Sequence, residues 1–172
     1  MKLFNCFGFI VATVFFTGVT AIQKPSLNYL CTINITTSAG ISIGSIPAGT
    51  ILTIPITGGI FAGPKLNGKV ASGGLDHSIT AANGIFSPDG RLILQTEDGA
   101  NIWFRDWGFA PFVYASFETG FAAYEWLNSV VAVGQVAQTS TGASLTIYQL
   151  GSNPVASSTI ASQSIEEIIM VG

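Results

Sequence analysis

Apolar and polar residues alternate along this chain in short runs, and that alternation sets the first expectation of its fold. Leu27 to Thr36, Ile41 to Ile46, Thr50 to Thr57, Arg91 to Thr96, Asn101 to Arg105, Val130 to Val136 and Ser144 to Leu150 are rich in Ile, Val, Leu, Thr and aromatic residues, with Gly, Pro, Asn and Ser between them. Such side chains fit a pleated, half-buried surface, and a period of two puts alternate residues on one face. No long helical pattern separates the runs. They therefore predict an all-β fold, a barrel or a sandwich, and argue against a parallel α/β sheet. The exception is Phe121 to Leu127, FAAYEWL, where Phe121, Tyr124 and either Glu125 or Leu127 recur at helical spacing and predict a short helical turn.

Two stretches interrupt the pattern. Gly58 to Asp76, GGIFAGPKLNGKVASGGLD, holds six glycines and one proline. That density reads either as a set of tight turns or as a backbone path that matters in itself, since glycine admits positive φ and close approach. Asp106 to Asn128 concentrates two tryptophans, four phenylalanines and two tyrosines. Aromatic density of this kind caps a barrel mouth or makes a dimer surface.

The clearest local structure is the hairpin RLILQTEDGANIWFR, Arg91 to Arg105. Asp98-Gly99 predicts a two-residue turn, which pairs Thr96 with Asn101, Leu94 with Trp103 and Leu92 with Arg105. Ile93, Gln95, Ile102 and Phe104 then share one face, and Leu92, Leu94, Thr96, Asn101, Trp103 and Arg105 the other. The second face has the mixture expected of a pocket for a mostly apolar molecule. It is equally the mixture of an ordinary half-buried sheet, with Trp103 on leucine stems and Arg105 reaching solvent.

Met1 to Ala21 changes the picture of where the chain works. Lys2, an apolar run from Leu3 to Phe16 and the small residues Val19-Thr20-Ala21 have the layout of a secretory signal peptide, which leaves residues 22–172 as a single domain in the secretory pathway or outside the cell. Asn34-Ile35-Thr36 is then a usable N-glycosylation acceptor; a glycan needs Asn34 in solvent and places Ile33 and Ile35 on the core side. Cys6 leaves with the leader, and Cys31 remains as a small buried hydrophobe. With one His and one remaining Cys, the usual zinc clusters are excluded. Six basic against nine acidic residues, for a net charge of -3, argue against nucleic acid and anionic membranes as partners.

Taken together, GGIFAGPKLNGKVASGGLD, RLILQTEDGANIWFR and FETGFAAYEWLN resemble the family known as domain of unknown function 3237, found in bacteria and fungi. The resemblance runs from about Leu27 to Leu150. Gly58, Gly59, Phe61, Gly63 and Pro64 match its GG-x-F-x-GP run, and Gly73, Gly74 and Asp76 the start of its GG-x-D-W end. Leu94, Thr96, Asp98, Gly99 and Arg105 match its hairpin. Phe117 to Gly120 and Tyr124, Trp126, Leu127 and Asn128 match its last segment. His77 stands where the family has Trp, which alters the chemistry at that corner.

The resemblance implies a compact antiparallel β-barrel with a ligand-sized cavity, often a homodimer. Some secreted fungal relatives are similar to hetero-Diels-Alderases that join a tropolone quinone methide to a humulene-type sesquiterpene. By that resemblance the chain is expected to be a cofactor-independent pericyclase of fungal secondary metabolism. Phe61, Trp103, Phe112, Tyr124 and Trp126 are its candidate apolar walls, with Asp76 as a further ligand contact. His77, Arg105, Tyr124 and Asn128 are candidate donors to the enone oxygen. His77 follows Asp76 directly, and adjacent strand residues face opposite ways, so Asp76 orients it only if the chain turns there.

Two other classes stay open on the sequence. One is a non-catalytic binder of apolar small molecules; the other is a structural or cell-surface protein whose aromatic residues pack solidly. Hydrolase readings have less support, because no G-x-S-x-G elbow is present. A two-carboxylate glycosidase would have to draw on Asp76, Glu97, Asp98, Glu118 and Glu125.

Overall fold

The β-branched runs become strands, and most of the segments between them do too. A computed structural model describes residues 24–152, so the expected leader and the closing segment beyond 152 lie outside the described residues. The order is β1 (Leu27–Thr37), β2 (Ile41–Ile46), β3 (Gly49–Ala62), β4 (Asn67–Val70), β5 (Gly74–Thr80), β6 (Phe86–Ser87), β7 (Asp89–Thr96), β8 (Asn101–Phe109), β9 (Phe112–Glu118), a 3₁₀ helix (Ala122–Ser129), β10 (Ala132–Gln138) and β11 (Gly142–Leu150).

Antiparallel pairing runs β1-β11-β10-β9-β8-β7-β4-β3, and β3 pairs back with β1, which closes a barrel without free edges along this path. The expected antiparallel β-barrel with a short helical turn is therefore the observed architecture. Strands β2, β5 and β6 lie outside the ring of eight and extend one end of it.

The glycine-rich stretch is largely strand rather than turn. β3 is long enough to serve two sets of neighbours: its first half pairs with β2 and β5, its second with β1 and β4. The change falls at Thr57, where the β1 register shifts, next to Gly58-Gly59. Gly59 has φ 144°, and a Cβ there would run into the carbonyl of Asn34 on β1. Only glycine permits that approach, so these residues let one strand bend from the barrel wall into its extension.

Strict alternation on β8 and β9 turns Ile102, Phe104, Val113, Ala115 and Phe117 inward. On β1 Ile33 and Ile35 are buried while Asn34 is exposed between them. A register shift between Tyr29 and Cys31 lets the consecutive Leu30 and Cys31 both face the core. Burial there pushes the Cys31 thiol up to about 12, so it behaves as a small hydrophobe. Phe61, Leu66, Phe104, Phe117 and Leu127 fill one end of the barrel, which the 3₁₀ helix closes.

The β7–β8 hairpin departs from expectation by one residue. The Thr96 N–H donates to the Ala100 carbonyl at 2.9 Å and its Oγ1 accepts the Ala100 N–H at 2.9 Å, so the loop is Glu97-Asp98-Gly99. A left-handed glycine, Gly99 at φ 88°, ends this three-residue connection. Asp98 holds the loop by accepting from Thr96 Oγ1 and from Tyr124 Oη. Leu94 therefore pairs with Ile102, Leu92 with Phe104 and Arg91 with Arg105. Because side chains alternate with period two, the slip exchanges the faces of β8. Leu92, Leu94 and Thr96 share the interior with Ile102, Phe104 and Asp106, whereas Trp103 and Arg105 stand outside with Ile93 and Gln95.

Candidate functional site

The end of the barrel opposite the 3₁₀ helix is not filled. A cavity of about 430 Å³ opens there. Its apolar walls come from Ile35 on β1, Leu52, Ile54 and Ile56 on β3, Val136 on β10 and Leu145 on β11, with Phe86, Pro88 and Ala110 at the β6–β9 side. Thr37 and Gln138 add neutral polar groups, and Asp76 and Asp106 the carboxyl groups; among the described residues no Lys, Arg or His lines it. This is the composition of a site for a small, mainly apolar molecule held by a few polar contacts.

Strand register explains how the two carboxyls meet. Asp76 on β5 pairs with Gly90 on β7, and Gly90 pairs with Asp106 on β8, so the three residues form one row with their side-chain directions shared. Neighbouring strands lie about 4.8 Å apart, which separates the two aspartate backbones by roughly 10 Å. Gly90 supplies no side chain between them. A Cβ at that position would collide with Oδ1 of Asp106, so the glycine makes the room that the buried carboxyl occupies.

The two acids differ in environment. Asp106 is 5% exposed, and burial, followed by the charges of Asp76 and Asp89, pushes its carboxyl up to about 7. Its own backbone N–H opposes that shift, and no other described residue donates a hydrogen bond to it. Asp76 is half-buried, and burial raises it too, but its Oδ1 accepts the Asp89 backbone N–H at 3.0 Å, which favours its charged form. Both carboxyls are thus raised by burial, Asp106 to about 7, while the Asp89 amide opposes the rise at Asp76. Neighbouring acids in unequal environments are the pattern from which acid–base roles are assigned.

Behind this row, on the outer surface, the Asp89 carboxylate is gripped by Arg105 through Nε at 2.9 Å and an Nη at 3.2 Å, and by Arg91 at 2.8 Å. The Arg105 guanidinium also lies over the Trp107 ring, 4.8 Å from its centroid. Arg105 is therefore one backbone removed from the cavity and reaches Asp76 only through Asp89.

Of the residues singled out in the sequence, the structure brings Asp76 alone into this cavity. His77 points to the outer side of β5, exposed, with Nδ1 3.3 Å from Thr53 Oγ1. Phe61 is buried in the filled end of the barrel. Trp103 and Phe112 are exposed on the outer wall. Trp126 packs against the core under Lys65, 5.6 Å from its ring. Tyr124 bonds Asp98 at 3.1 Å, and Asn128 clamps Thr119 by accepting its N–H at 2.8 Å and donating to its carbonyl at 2.9 Å. These last two order the closed end. Among the described residues no group of three His, Cys, Asp or Glu side chains is placed to hold a metal ion.

Asp106 is the cavity-lining acid that the sequence reading does not single out. Its signal was alternation: Ile102, Phe104 and Asp106 are every second residue of β8, and a three-residue hairpin loop puts that series inside. A charged residue continuing an inward apolar series is the informative exception.

Residues 25–112 match the model of a protein family described as protein of unknown function, DUF3237. The chain belongs to this family. Among its relatives is the hydroalkoxylation enzyme phnH of Penicillium herquei, 34% identical over 132 residues, covering 74% of this chain and 87% of that protein. A crystal structure of an enzyme from Penicillium herquei superposes with a TM-score of 0.69 at 31% identity, covering 76% of this chain and 98% of that one. A β-barrel-like protein from Acinetobacter baumannii superposes with a TM-score of 0.72 at 26% identity, covering 76% and 99%. The family thus has an enzyme among its members, and its fold is the barrel described above.

Proposed function

We propose that this chain is a cofactor-independent cyclase that forms a C–O bond in a mostly apolar substrate, with Asp106 as general acid and Asp76 as general base. The observation that carries the proposal is the row Asp76-Gly90-Asp106 inside an otherwise apolar cavity. The likeness to a hydroalkoxylation enzyme supports the reaction class.

Hydroalkoxylation adds an O–H across a C=C bond. In the step proposed here the Asp106 carboxyl gives its proton to one alkene carbon. The π bond breaks, a C–H bond forms, and positive charge develops on the more substituted carbon. A hydroxyl or phenol oxygen of the same molecule attacks that carbon, and its proton passes to the Asp76 carboxylate. Return of the proton from Asp76 to Asp106 restores the resting state. No electrons are gained or lost, so no redox partner enters the balance. The cavity orients the nucleophile and excludes water, which would otherwise capture the cation.

A hetero-Diels-Alder cyclisation between a tropolone quinone methide and a humulene-type alkene is the second reading. What favours it is the same neutral Asp106 carboxyl, a hydrogen-bond donor able to polarise an enone oxygen as charge gathers there. A cavity of 430 Å³ lies toward the small end of ligand pockets, which run to roughly 1,000 Å³. One molecule folded on itself suits it better than two partners.

The test is to incubate the protein with an alkene-bearing phenol, and separately with a quinone-methide precursor plus a humulene-type alkene, following rate and enantiomeric ratio. Accelerated, single-enantiomer ether formation in the first mixture supports the main reading, and in the second mixture alone the other. Rates and racemic product equal to the protein-free controls in both would contradict the proposal.

A further inference from the structure

The cavity carries an electrostatic asymmetry that goes beyond its role in moving a proton. Among the described residues the two ionisable groups that line it are both acids, and no basic residue does so. The nearest guanidinium groups, Arg91 and Arg105, lie on the outer side of the barrel wall and are already engaged by Asp89. Asp106 is buried and aimed into the space with no donor from any other described residue. Apolar side chains form most of the remaining wall, including Leu52, Ile54, Phe86 and Leu145.

We infer that this cavity is a binding site for compact hydrophobic cations, tertiary ammonium compounds above all, and that it discriminates against anions of the same shape. The inference rests on reading the cavity as the reactive site, because a tertiary ammonium reproduces the charge and substitution of the carbocation formed there. An ammonium entering here meets the Asp76 carboxylate and, because a cation beside a carboxyl favours its charged form, draws the proton off Asp106 as it binds. Both charges then act in a medium that screens poorly, while the alkyl groups of the ammonium lie on apolar side chains. A carboxylate of equal size meets the same wall with the wrong sign, and Thr37 and Gln138 have no charge with which to compensate it. A neutral hydrocarbon gains the apolar contacts alone.

Three probes of one shape test this: N,N-dimethylphenethylammonium, its carbon isostere isopentylbenzene, and hydrocinnamate. Their affinities for the full chain are measured at neutral pH by calorimetry or by competition with an environment-sensitive dye. The ammonium is expected to bind at least about tenfold tighter than isopentylbenzene, and hydrocinnamate weakest. Asp76→Asn and Asp106→Asn are each expected to reduce the preference, and the double variant to abolish it while isopentylbenzene still binds. Equal affinity of the ammonium and its carbon isostere in the wild-type chain would overturn the inference, with no variant needed. A preference that survives in a folded double variant would overturn it as well, because the charge responsible would lie elsewhere. Binding and turnover separate the two ideas: cation preference without catalysis contradicts the cyclase reading alone, and catalysis without cation preference contradicts this inference alone.

Discussion

The backbone N–H of Asp89 donates to Oδ1 of Asp76 at 3.0 Å, while the Asp89 side chain points the other way, into the grip of Arg105 and Arg91. A surface ion cluster is thereby connected to a cavity carboxylate through one peptide unit. Pairs this exposed contribute little to stability, about 0.2–1 kcal/mol. Their effect here is positional: they fix where the amide that supports ionised Asp76 can be.

Arg105 is therefore a positioning residue. Arg105→Ala is expected to lower kcat/KM by about tenfold with small change in unfolding midpoint, and to move the acidic limb of the pH–rate profile upward as Asp76 loses support for its charge. Arg105→Lys, which retains the charge but not the bidentate geometry, should recover part of the loss. An unchanged acidic limb in Arg105→Ala would show that Asp89 needs no such anchor.

Asp106 sets a pH dependence of stability whose sign follows from its environment. Its folded carboxyl titrates near 7 against an ordinary value of 3.8, so between those limits the folded chain holds a proton that the unfolded chain has released. Stability falls as pH rises through that window and levels off above it. Asp76, also raised, acts with the same sign. Asp106→Asn removes one ionisation but leaves a buried amide, so it is expected to flatten the decline and to gain roughly 1–3 kcal/mol above pH 7, measured as the urea midpoint against pH. A wild-type stability that rises from pH 4 to pH 7, with Asp106→Asn no more stable at the upper end, would contradict the raised carboxyl.

Gly90 is required because it lies between the two acids. Gly90→Ala places a methyl group against Oδ1 of Asp106 and must displace the carboxyl or the strand. Overpacking of this kind costs about 1–3 kcal/mol. Turnover is expected to fall by roughly 100-fold, since small misplacements of reacting groups are costly. A folded Gly90→Ala chain with undiminished turnover would separate the row geometry from the chemistry.

The outer-wall residues give the converse expectation. Trp103 and Phe112 are exposed and distant from the cavity by the thickness of the barrel wall, and His77 faces outward from β5. Trp103→Ala, Phe112→Ala and His77→Ala are each expected to leave kcat/KM within about twofold of wild type. A larger loss in a folded variant would place chemistry on the outer surface.

These expectations also mark what the sequence made legible. The all-β class was readable because Ile, Val and Thr at period two leave few alternatives, and Asn34 between buried Ile33 and Ile35 follows that rule; barrel rather than sandwich came from the family resemblance. Strands β4 and β5 were not read, because Gly68 and Gly74 resemble turn residues until close strand approach explains them, beside Gly73, which is in a turn at φ 100°. The site was largely hidden by one residue of register. Asp98-Gly99 is a good two-residue turn in isolation, but the Thr96 hydroxyl closes a wider loop with Ala100, and that choice depends on Tyr124 from the distant 3₁₀ helix as well. With the shorter loop, Trp103 and Arg105 would line an interior that belongs to Phe104 and Asp106. Asp76 stood among the sequence candidates and lines the cavity; Asp106 comes from another strand, and only the closed sheet shows the two in one row.

The most direct test of the account is the turnover of Asp106→Asn with an alkene-bearing phenol that the wild-type chain cyclises, read alongside binding of the same compound. If Asp106 delivers the proton, kcat falls by about 10²- to 10⁴-fold while the folded variant still binds substrate, and the basic limb of the pH profile near 7 disappears from the residual rate. A folded Asp106→Asn chain that binds and turns over substrate at the wild-type rate would contradict the central claim.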